Sequence, residues 1–281
     1  MAVSVRVACC QIAPDVLEPE RSAELAAEAL AAAVAAGAQV VVLPELATCG
    51  YVFTSVEEAH AAALGASEMA AAWAEVAARG DAIVVGGFCE LAPDGRLFNS
   101  SALVDRDGLR AVYRKLHLWG EEPRWFSAGE EPAPVVDTRH GRIGLAICYD
   151  IEFPELTRGL ALGGADLLAL PANWPRDPRA ILQSLAATTA YLSRVYVAVC
   201  DRCGTERGLE FEGGSVIAGP DGELRAGPVR DRGVETLFAE CDVSEARRKR
   251  NGEHNDVFAD RRPGYYEPSL TARDRAAQPA R

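Results

Sequence analysis

Short apolar runs rich in β-branched residues alternate along the chain with longer alanine-rich stretches. The runs predict β-strands and the alanine-rich stretches predict helices, several of which end at a glycine. Ten strands are predicted, at residues 4–10, 40–43, 83–89, 100–104, 110–114, 142–148, 167–170, 195–200, 215–218 and 235–241. Four helices are predicted, at residues 18–36, 57–79, 154–162 and 181–193. This alternation indicates a layered α/β architecture.

The order of the last elements and the lack of a linker complete this outline. The turn Gly219–Gly222 predicts a closing hairpin between residues 215–218 and 235–241. No Pro/Gly/Ser-rich linker interrupts the chain, so we expect a single domain over residues 1–270. Residues 271–281 are polar and alanine-rich and predict a mobile tail or an interface arm.

Composition and charge limit the classes of function. A hydrophobic content of 49% with 25% charged residues predicts a sizeable core. The net charge of −12 argues against a nucleic-acid partner, whose phosphates require clustered Lys and Arg. No apolar run is long enough to span a membrane and the first residues resemble a strand more than a signal peptide. Eight cysteines without a disulfide-like spacing fit a reducing compartment, so we expect a cytoplasmic protein.

Three predicted strands end in residues that can do chemistry. The strand at 40–43 leads to Glu45, the strand at 110–114 leads to Lys115, and the strand at 142–148 ends in Cys148. Functional sites of layered α/β folds gather where strands end. A thiol is mostly protonated at neutral pH and needs a base, which Glu45 can supply. Lys115 can then stabilise the oxyanion of a tetrahedral intermediate.

The segments around these residues resemble a known family. Leu43–Glu45, Arg114–His117 and Ile147–Glu155 are similar, in order and spacing, to three signature segments of the nitrilase superfamily of carbon–nitrogen hydrolases. The resemblance covers about residues 4–268. It implies a four-layer αββα sandwich, a homodimer or larger homo-oligomer formed through a helical interface, and a catalytic triad of Glu45, Lys115 and Cys148. It implies no cofactor and no metal.

The same resemblance implies a second glutamate, which holds the lysine and orients the substrate. Glu122 matches this position better than Glu121, which stays an alternative; either could instead be a surface acid beside Arg124. The backbone N–H of Tyr149, after the nucleophile, is the expected second oxyanion donor.

Further residues are candidates for lining the substrate pocket. Asn173 and Trp174 occupy the place where the family lines its pocket, although the tryptophan could equally be core packing, and Tyr51 is a further candidate for substrate binding. His117 has no acidic partner nearby in the sequence, so we predict a structural histidine and reject a Cys–His triad. The segment Thr189–Ser193 departs from the family's Arg-Ala-x-Glu-Asn pattern, which predicts altered contacts behind the site or at the subunit interface.

The residues after the nucleophile suggest which bond is cleaved. The segment Cys148–Glu155 resembles the amidase branches, and relatives acting on carboxylate-bearing amides place Arg where Glu152 stands. A carboxylate there would repel an anionic substrate. Three further segments, Gly204–Gly208, Phe211–Ser215 and Asp260–Pro263, are similar to those of amidases acting on short aliphatic and ω-amino amides. We therefore expect a small aliphatic primary amide, with an N-carbamoyl-amine hydrolase or a nitrilase as alternatives. A non-catalytic relative is disfavoured because the whole triad is present.

Overall fold

The computed structural model describes residues 4–176, 182–229 and 233–270. The chain divides into two compact units, Met1–Arg248 and Lys249–Arg281. In the second unit, a bridge joins Arg250 to Asp256 before a short helix. The expected single domain over 1–270 extends across this division and stays a prediction. The predicted tail at 271–281 lies outside the described residues.

The strands and helices are numbered in chain order. The strands are β1 Ser4–Gln11, β2 Val40–Val42, β3 Ile83–Leu91, β4 Leu97–Asp105, β5 Gly108–Arg114, β6 Val135–Thr138, β7 Gly141–Leu145, β8 Leu167–Ala172, β9 Tyr196–Asp201, β10 Thr205–Glu206, β11 Leu209–Glu210, β12 Val216–Ala218, β13 Leu224–Ala226 and β14 Glu235–Asp242. The helices are α1 Pro19–Ala35, α2 Val56–Ala61, α3 Ala66–Gly80, α4 Pro154–Leu162, α5 Leu182–Ser193, α6 Val243–Ala246 and α7 Pro263–Leu270. All four predicted helical regions contain helix.

The first unit contains two six-stranded sheets, in the orders β14-β1-β2-β3-β4-β5 and β13-β12-β9-β8-β7-β6. In each sheet the three central strands, β1–β3 and β7–β9, are parallel, and antiparallel strands complete the edges. The central strands β2, β8 and β9 are buried along their whole length. Continuous apolar runs are typical of strands that are covered on both faces.

The two sheets pack against each other and carry helices on their outer faces. Strands β1, β2 and β3 of the first sheet contact β8 and β9 of the second. Helices α1 and α3 pack on the first sheet, and α4 and α5 pack on the second. The predicted four-layer αββα sandwich is confirmed by this arrangement.

Two predictions about individual elements were wrong. The single helix expected at 57–79 is two helices, because the backbone of Leu64 forms a bridge with Glu90 of β3 and Gly65 then caps α3. The expected closing hairpin was also wrong. The turn after β12 leads to β13, whereas β14 crosses to the other sheet and pairs with β1. Turn chemistry indicates that a strand returns, but it does not say which later strand is the partner.

A helix that spans a bilayer needs about 20 predominantly apolar residues. Within residues 4–176, 182–229 and 233–270, no helix is both long and apolar enough to cross a membrane.

Candidate active site

The predicted catalytic residues follow strands whose carboxyl ends lie at the same edge of their sheets. Strand β3 is parallel to β2, β4 is antiparallel to β3, and β5 is antiparallel to β4, so β2 and β5 run in the same direction. Glu45 and Lys115 therefore leave the first sheet at the same edge. Strands β7 and β8 are parallel, so Cys148 and Asn173 leave the second sheet together. Because the two sheets face each other, the four residues converge between them.

The loop that carries Glu45 lies directly on the neighbouring strand. The N–H of Gly87 in β3 donates to the carbonyl of Pro44 at 2.9 Å, and the N–H of Ala47 donates to the carbonyl of Gly87 at 2.9 Å. A Cβ on Gly87 would collide with the backbone of Glu45 and Leu46. Glycine at this position therefore lets the loop approach closely and fixes Glu45 at the sheet edge.

A buried ammonium group joins the two acidic residues of the site. The Nζ of Lys115 donates to Glu45 Oε1 at 2.7 Å and to Glu122 Oε1 at 2.7 Å. All three side chains are buried. Tyr51 adds a fourth member, since its hydroxyl donates to Glu122 Oε1 at 2.8 Å. The structure thus brings together four of the predicted site residues in one hydrogen-bonded cluster.

The choice between the two neighbouring glutamates follows from burial. Glu122 begins a 3₁₀ turn, is buried and contacts Lys115, whereas Glu121 is exposed and pairs with Arg124. Glu122 therefore has the contact with Lys115 that is expected of the second glutamate. Glu121 is a surface acid beside Arg124.

Electrostatics determine the charges in this cluster. Burial by itself would lower the pKa of Lys115, but the negative charge of Glu45 and Glu122 outweighs it and raises that pKa above its ordinary value. Burial raises the pKa of Glu122, partly offset by Lys115. The two carboxylates therefore favour the charged form of the ammonium group, which an oxyanion donor requires.

The backbone at Cys148 is unusual for a residue with a side chain. The strand β7 ends at Leu145, earlier than predicted, and Cys148 begins a 3₁₀ turn with a φ of 47°. Left-handed backbone at a non-glycine residue is costly and often occurs at functional sites. Cys148 is 8% exposed, whereas each of the other seven cysteines is at most 1% exposed. It is therefore the most exposed of the eight cysteines.

The surroundings of Cys148 favour the neutral thiol in the resting protein. Burial raises the pKa of Cys148 well above its usual value, and the negative charge of Glu45 raises it further. Lys115 and a hydrogen bond from the backbone N–H of Asn173 act in the opposite direction. A protonated thiol needs a nearby base before it can attack. Glu45 has such a position: its Oε2 atom is buried and has no partner among the described residues.

Further polar atoms at the site are buried without a partner. Among the described residues, no hydrogen-bond partner exists for the side-chain oxygen and nitrogen of Asn173 or for the Nε1 of Trp174. Buried polar groups are normally paired, so a cluster of unpaired ones indicates a place for a ligand or for water. The half-buried Tyr149 packs edge-on against Phe153 at 5.0 Å, and its N–H lies in the first turn, where no intrahelical acceptor exists.

Glu152 lies outside this cluster. Its side chain is exposed and lines a groove between α4 and α5 together with residues such as Thr157 and Thr188. The 3₁₀ turn after Cys148 carries the chain from the site towards the outer helix layer, which places the fourth residue after the nucleophile on that side. The expected repulsion of anionic substrates by Glu152 therefore stays a prediction.

Sequence reasoning missed two residues that hold the site. Asn99, a lone amide in the largely apolar strand β4, donates from Nδ2 to Glu45 Oε1 at 2.6 Å. Asp150 was part of the quoted motif but was given no role. It accepts from the N–H of Ile147 at 2.9 Å and from the hydroxyl of Tyr113 at 2.8 Å, and so ties the nucleophile turn to the strand of Lys115.

His117 does have an acidic partner, which sequence distance concealed. Its Nδ1 lies 2.7 Å from Asp150 Oδ1, and its ring stacks on Phe153 with centroids 3.5 Å apart. These contacts support the predicted structural role of His117, because they brace the turn that begins at Cys148.

A metal site requires several ligating side chains that converge on one point. Among the residues that the structure describes, no group of three His, Cys, Asp or Glu side chains is arranged to hold a metal ion.

Comparison with known proteins identifies the family. The carbon-nitrogen hydrolase family model matches residues 6–251. A nitrilase from Pyrococcus abyssi is 38% identical over 266 residues, covering 93% of this chain and 99% of that protein. A 2-oxoglutaramate amidase from Bacillus subtilis is 32% identical over 233 residues, covering 82% of this chain and 87% of that protein.

Solved structures support the same conclusion. An amidase from Nesterenkonia sp. superposes with a TM-score of 0.79 at 28% identity, covering 96% of this chain and 97% of that one. A variant of that amidase shows covalent addition of the acetamide moiety of fluoroacetamide at its active site cysteine. The chain thus belongs to the carbon-nitrogen hydrolase family of the nitrilase superfamily and is a hydrolase of carbon–nitrogen bonds other than peptide bonds.

Proposed function

We propose that this protein is an amidase that hydrolyses a small aliphatic primary amide to a carboxylate and ammonia, with a thioester on Cys148 as intermediate. The observation that carries the proposal is the free Oε2 of Glu45 in the same buried cluster as a protonated thiol and an ammonium group fixed by two carboxylates. This arrangement provides a base, a nucleophile and an electrophilic stabiliser in one buried cluster.

The reaction follows from these positions. Glu45 takes the thiol proton of Cys148, and the sulfur attacks the amide carbon. The oxyanion forms between the Lys115 ammonium and the N–H of Tyr149. Glu45 returns the proton to the nitrogen, the carbon–nitrogen bond breaks, and ammonia leaves a thioester. Glu45 then deprotonates a water molecule, whose oxygen attacks the thioester carbon. The carbon–sulfur bond breaks, Glu45 returns the proton to the sulfur, and the acid product loses its own proton to solvent and leaves as the carboxylate.

The substrate-binding roles belong to the same proposal. Glu122 holds Lys115 and accepts from the substrate amide N–H, and the unpaired amide of Asn173 can bond the amide group. Trp174 and Tyr51 line the pocket, since both are partly buried beside these groups. The similarity to short-chain and ω-amino amidases in segments such as Gly204–Gly208 favours a substrate like 5-aminopentanamide or 4-guanidinobutanamide.

Ammonia release from a panel of substrates tests the function. We expect turnover of 5-aminopentanamide, 4-guanidinobutanamide or butyramide, and no turnover in Cys148→Ala. A preference for glutaramate would contradict the proposed substrate class, and activity in Cys148→Ala would contradict the mechanism. Carbon dioxide released with the ammonia would identify an N-carbamoyl-amine hydrolase instead, and turnover of nitriles would identify a nitrilase. One similar protein is named a nitrilase and another an N-carbamoylputrescine amidase.

The outer helices suggest how copies of the chain associate. Leu162 on α4 and Tyr191 and Leu192 on α5 are large apolar side chains exposed to solvent. The two helices are neighbours, and large apolar side chains exposed on adjacent helices can form the apolar surface of a protein interface. We propose a homodimer or larger assembly through this face. Sedimentation should show an oligomer that Leu192→Glu weakens; a monomeric wild type would contradict the proposal.

The state of the cysteines bears on the compartment. All eight cysteines are free and buried. We propose a cytoplasmic, reducing environment, which thiol labelling of the protein isolated under non-reducing conditions would test; disulfides found there would contradict it.

A further inference from the structure

Glu206, in the small hairpin β10–β11, is a buried carboxylate that collects hydrogen bonds from two other loops. Its Oε1 accepts from the N–H of Val16 at 2.7 Å. Its Oε2 accepts from the N–H groups of Tyr51 at 2.9 Å and Val52 at 2.7 Å. The loops that follow β1 and Glu45 are therefore joined at one side chain.

A buried guanidinium group balances this carboxylate. Arg202 is almost completely buried and donates from Nη1 to Glu206 Oε2 at 3.0 Å. Its Nη2 donates to the carbonyl of Pro14, and its plane stacks on the ring of Phe211 at 4.0 Å. Moving two charges out of water is costly unless their donors and acceptors are paired, and here the partners are loops at the rim of the site.

The loop that carries Tyr51 packs closely against Glu206 at Gly50. Gly50 has a φ of 81°, and a Cβ there would collide with Glu206 Oε1 and the N–H of Val16. The backbone of Tyr51 is thus held at a defined distance from the ion pair. Its ring also contacts Phe211 edge-on, with centroids 6.0 Å apart, and Phe211 is the same ring on which Arg202 stacks.

Tyr51 transmits this position to the catalytic cluster. Its hydroxyl donates to Glu122 Oε1, the same oxygen that accepts from the Nζ of Lys115. A continuous chain of contacts therefore runs from Glu206 through Tyr51 and Glu122 to Lys115. None of the members before Glu122 is required by the chemical steps.

We propose that the buried Arg202–Glu206 pair is a positioning device for the reaction, which holds Tyr51 against Glu122 and so orients the Lys115 ammonium. This inference rests on the proposed amidase function. A purely structural pair would support stability alone. A positioning pair also changes turnover, and it does so through Tyr51.

A double-mutant cycle separates these two roles. Glu206→Gln, Tyr51→Phe and the double variant are compared by kcat, KM and Tm with butyramide or the best substrate of the panel. Each single change should lower kcat by about 10- to 100-fold, the effect of a small misplacement. The double variant should be no slower than the slower single variant, whereas Glu206→Gln should lower Tm equally in both backgrounds. Effects on kcat that multiply, or an unchanged kcat in Glu206→Gln, would overturn the inference.

Glu210 provides a matched control in the same hairpin. Glu210 pairs with Arg176 at the surface, so Glu210→Gln makes the same chemical change without touching the site. Its kcat should equal that of the wild type. A decrease matching that of Glu206→Gln would show that any disturbance of the hairpin suffices, and would contradict a specific role for the buried pair.

A second measurement does not require hydrolysis or a folded Glu206 variant. The rate at which iodoacetamide alkylates Cys148 depends on the charges around the thiol, where Lys115 lowers and Glu122 raises the thiol pKa. This rate should differ between the wild type and Tyr51→Phe; an unchanged rate would contradict the inference. If the wild type hydrolyses no amide, the proposed function fails, but this rate still tests the positioning.

Tyr51→Phe should also move the acid limb of kcat/KM to higher pH. The hydroxyl lowers the pKa of Glu122, which otherwise faces Lys115, Glu45 and Cys148. An unmoved limb would equally contradict the inference.

Discussion

Replacing Lys115 by methionine removes the cation that separates two buried carboxylates. Glu45 and Glu122 each lie 2.7 Å from its Nζ, and the side chains of all three residues are buried. Methionine fills a similar volume but cannot donate a hydrogen bond. The change therefore leaves two acidic groups facing each other in a region that water hardly reaches.

The size of the effect follows from this geometry. Removing one partner of a buried ion pair costs about 3–5 kcal/mol in the free energy of unfolding. For a chain of this length, each kcal/mol lowers Tm by about 2–4 °C, which gives a decrease of roughly 6–20 °C. Activity should fall by about 10²–10³-fold or more, because the oxyanion loses its charged donor.

The loss of stability should depend on pH in a defined direction. Burial already raises the pKa of Glu122, and Lys115→Met removes the largest influence that lowers it and leaves the hydrogen bond from Tyr51. A carboxyl group with a raised pKa in the folded state penalises folding at high pH, and the penalty disappears as the pH falls through that pKa towards the ordinary value of about 4.3. Lys115→Met should therefore lose more stability at about pH 8 than at about pH 5.5.

Thermal denaturation at the two pH values, with ammonia release as the activity assay, measures these effects. Lys249→Met is the matched control, since Lys249 is the only other lysine of the chain and lies in the second unit. A Tm loss in Lys115→Met that is absent, equal to that of the control, or larger at the lower pH would refute the reasoning.

Three further predictions concern neighbouring groups. Glu122→Gln should lower kcat/KM by about 10²-fold while Glu121→Gln leaves it unchanged, and equal effects in steady-state assays would contradict the assignment. Asn173→Ala should raise KM by about 10-fold with little change in kcat, because it removes side-chain contacts but keeps the backbone donor to Cys148; an unchanged KM would exclude the amide from substrate binding. Iodoacetamide should alkylate Cys148 ahead of the other seven cysteines, at a rate that rises from about pH 6 to about pH 9; peptide mapping that finds a pH-independent rate would contradict a raised thiol pKa.

The parts of the site that sequence could predict are those fixed by local pattern. Glu45, Lys115 and Cys148 each follow an apolar run, and the direction of β2, β5 and β7 then brings them to one place. Glu122 was preferred by spacing, and its burial distinguishes it from Glu121.

Long-range partners were out of reach of this reasoning. Asn99 contacts Glu45 across 54 residues of chain, Asp150 contacts Tyr113 across 37, and the contact from Glu206 to Tyr51 spans 155. The location of Glu152 was also out of reach, because a linear motif does not reveal that a 3₁₀ turn directs this residue towards the outer helices. Likewise, the partner of β14 depends on how the two sheets meet, and not on the turn that precedes it.

The covalent intermediate tests the central claim most directly. Wild-type protein mixed with butyramide, quenched in acid within the first turnovers and digested, is examined by mass spectrometry of the peptide that contains Cys148. We predict a butyryl group in place of one hydrogen on that cysteine, which disappears as the amide is consumed and never forms in Cys148→Ala. Hydrolysis of the amide by Cys148→Ala, or an acyl group carried by any other residue, would contradict the account.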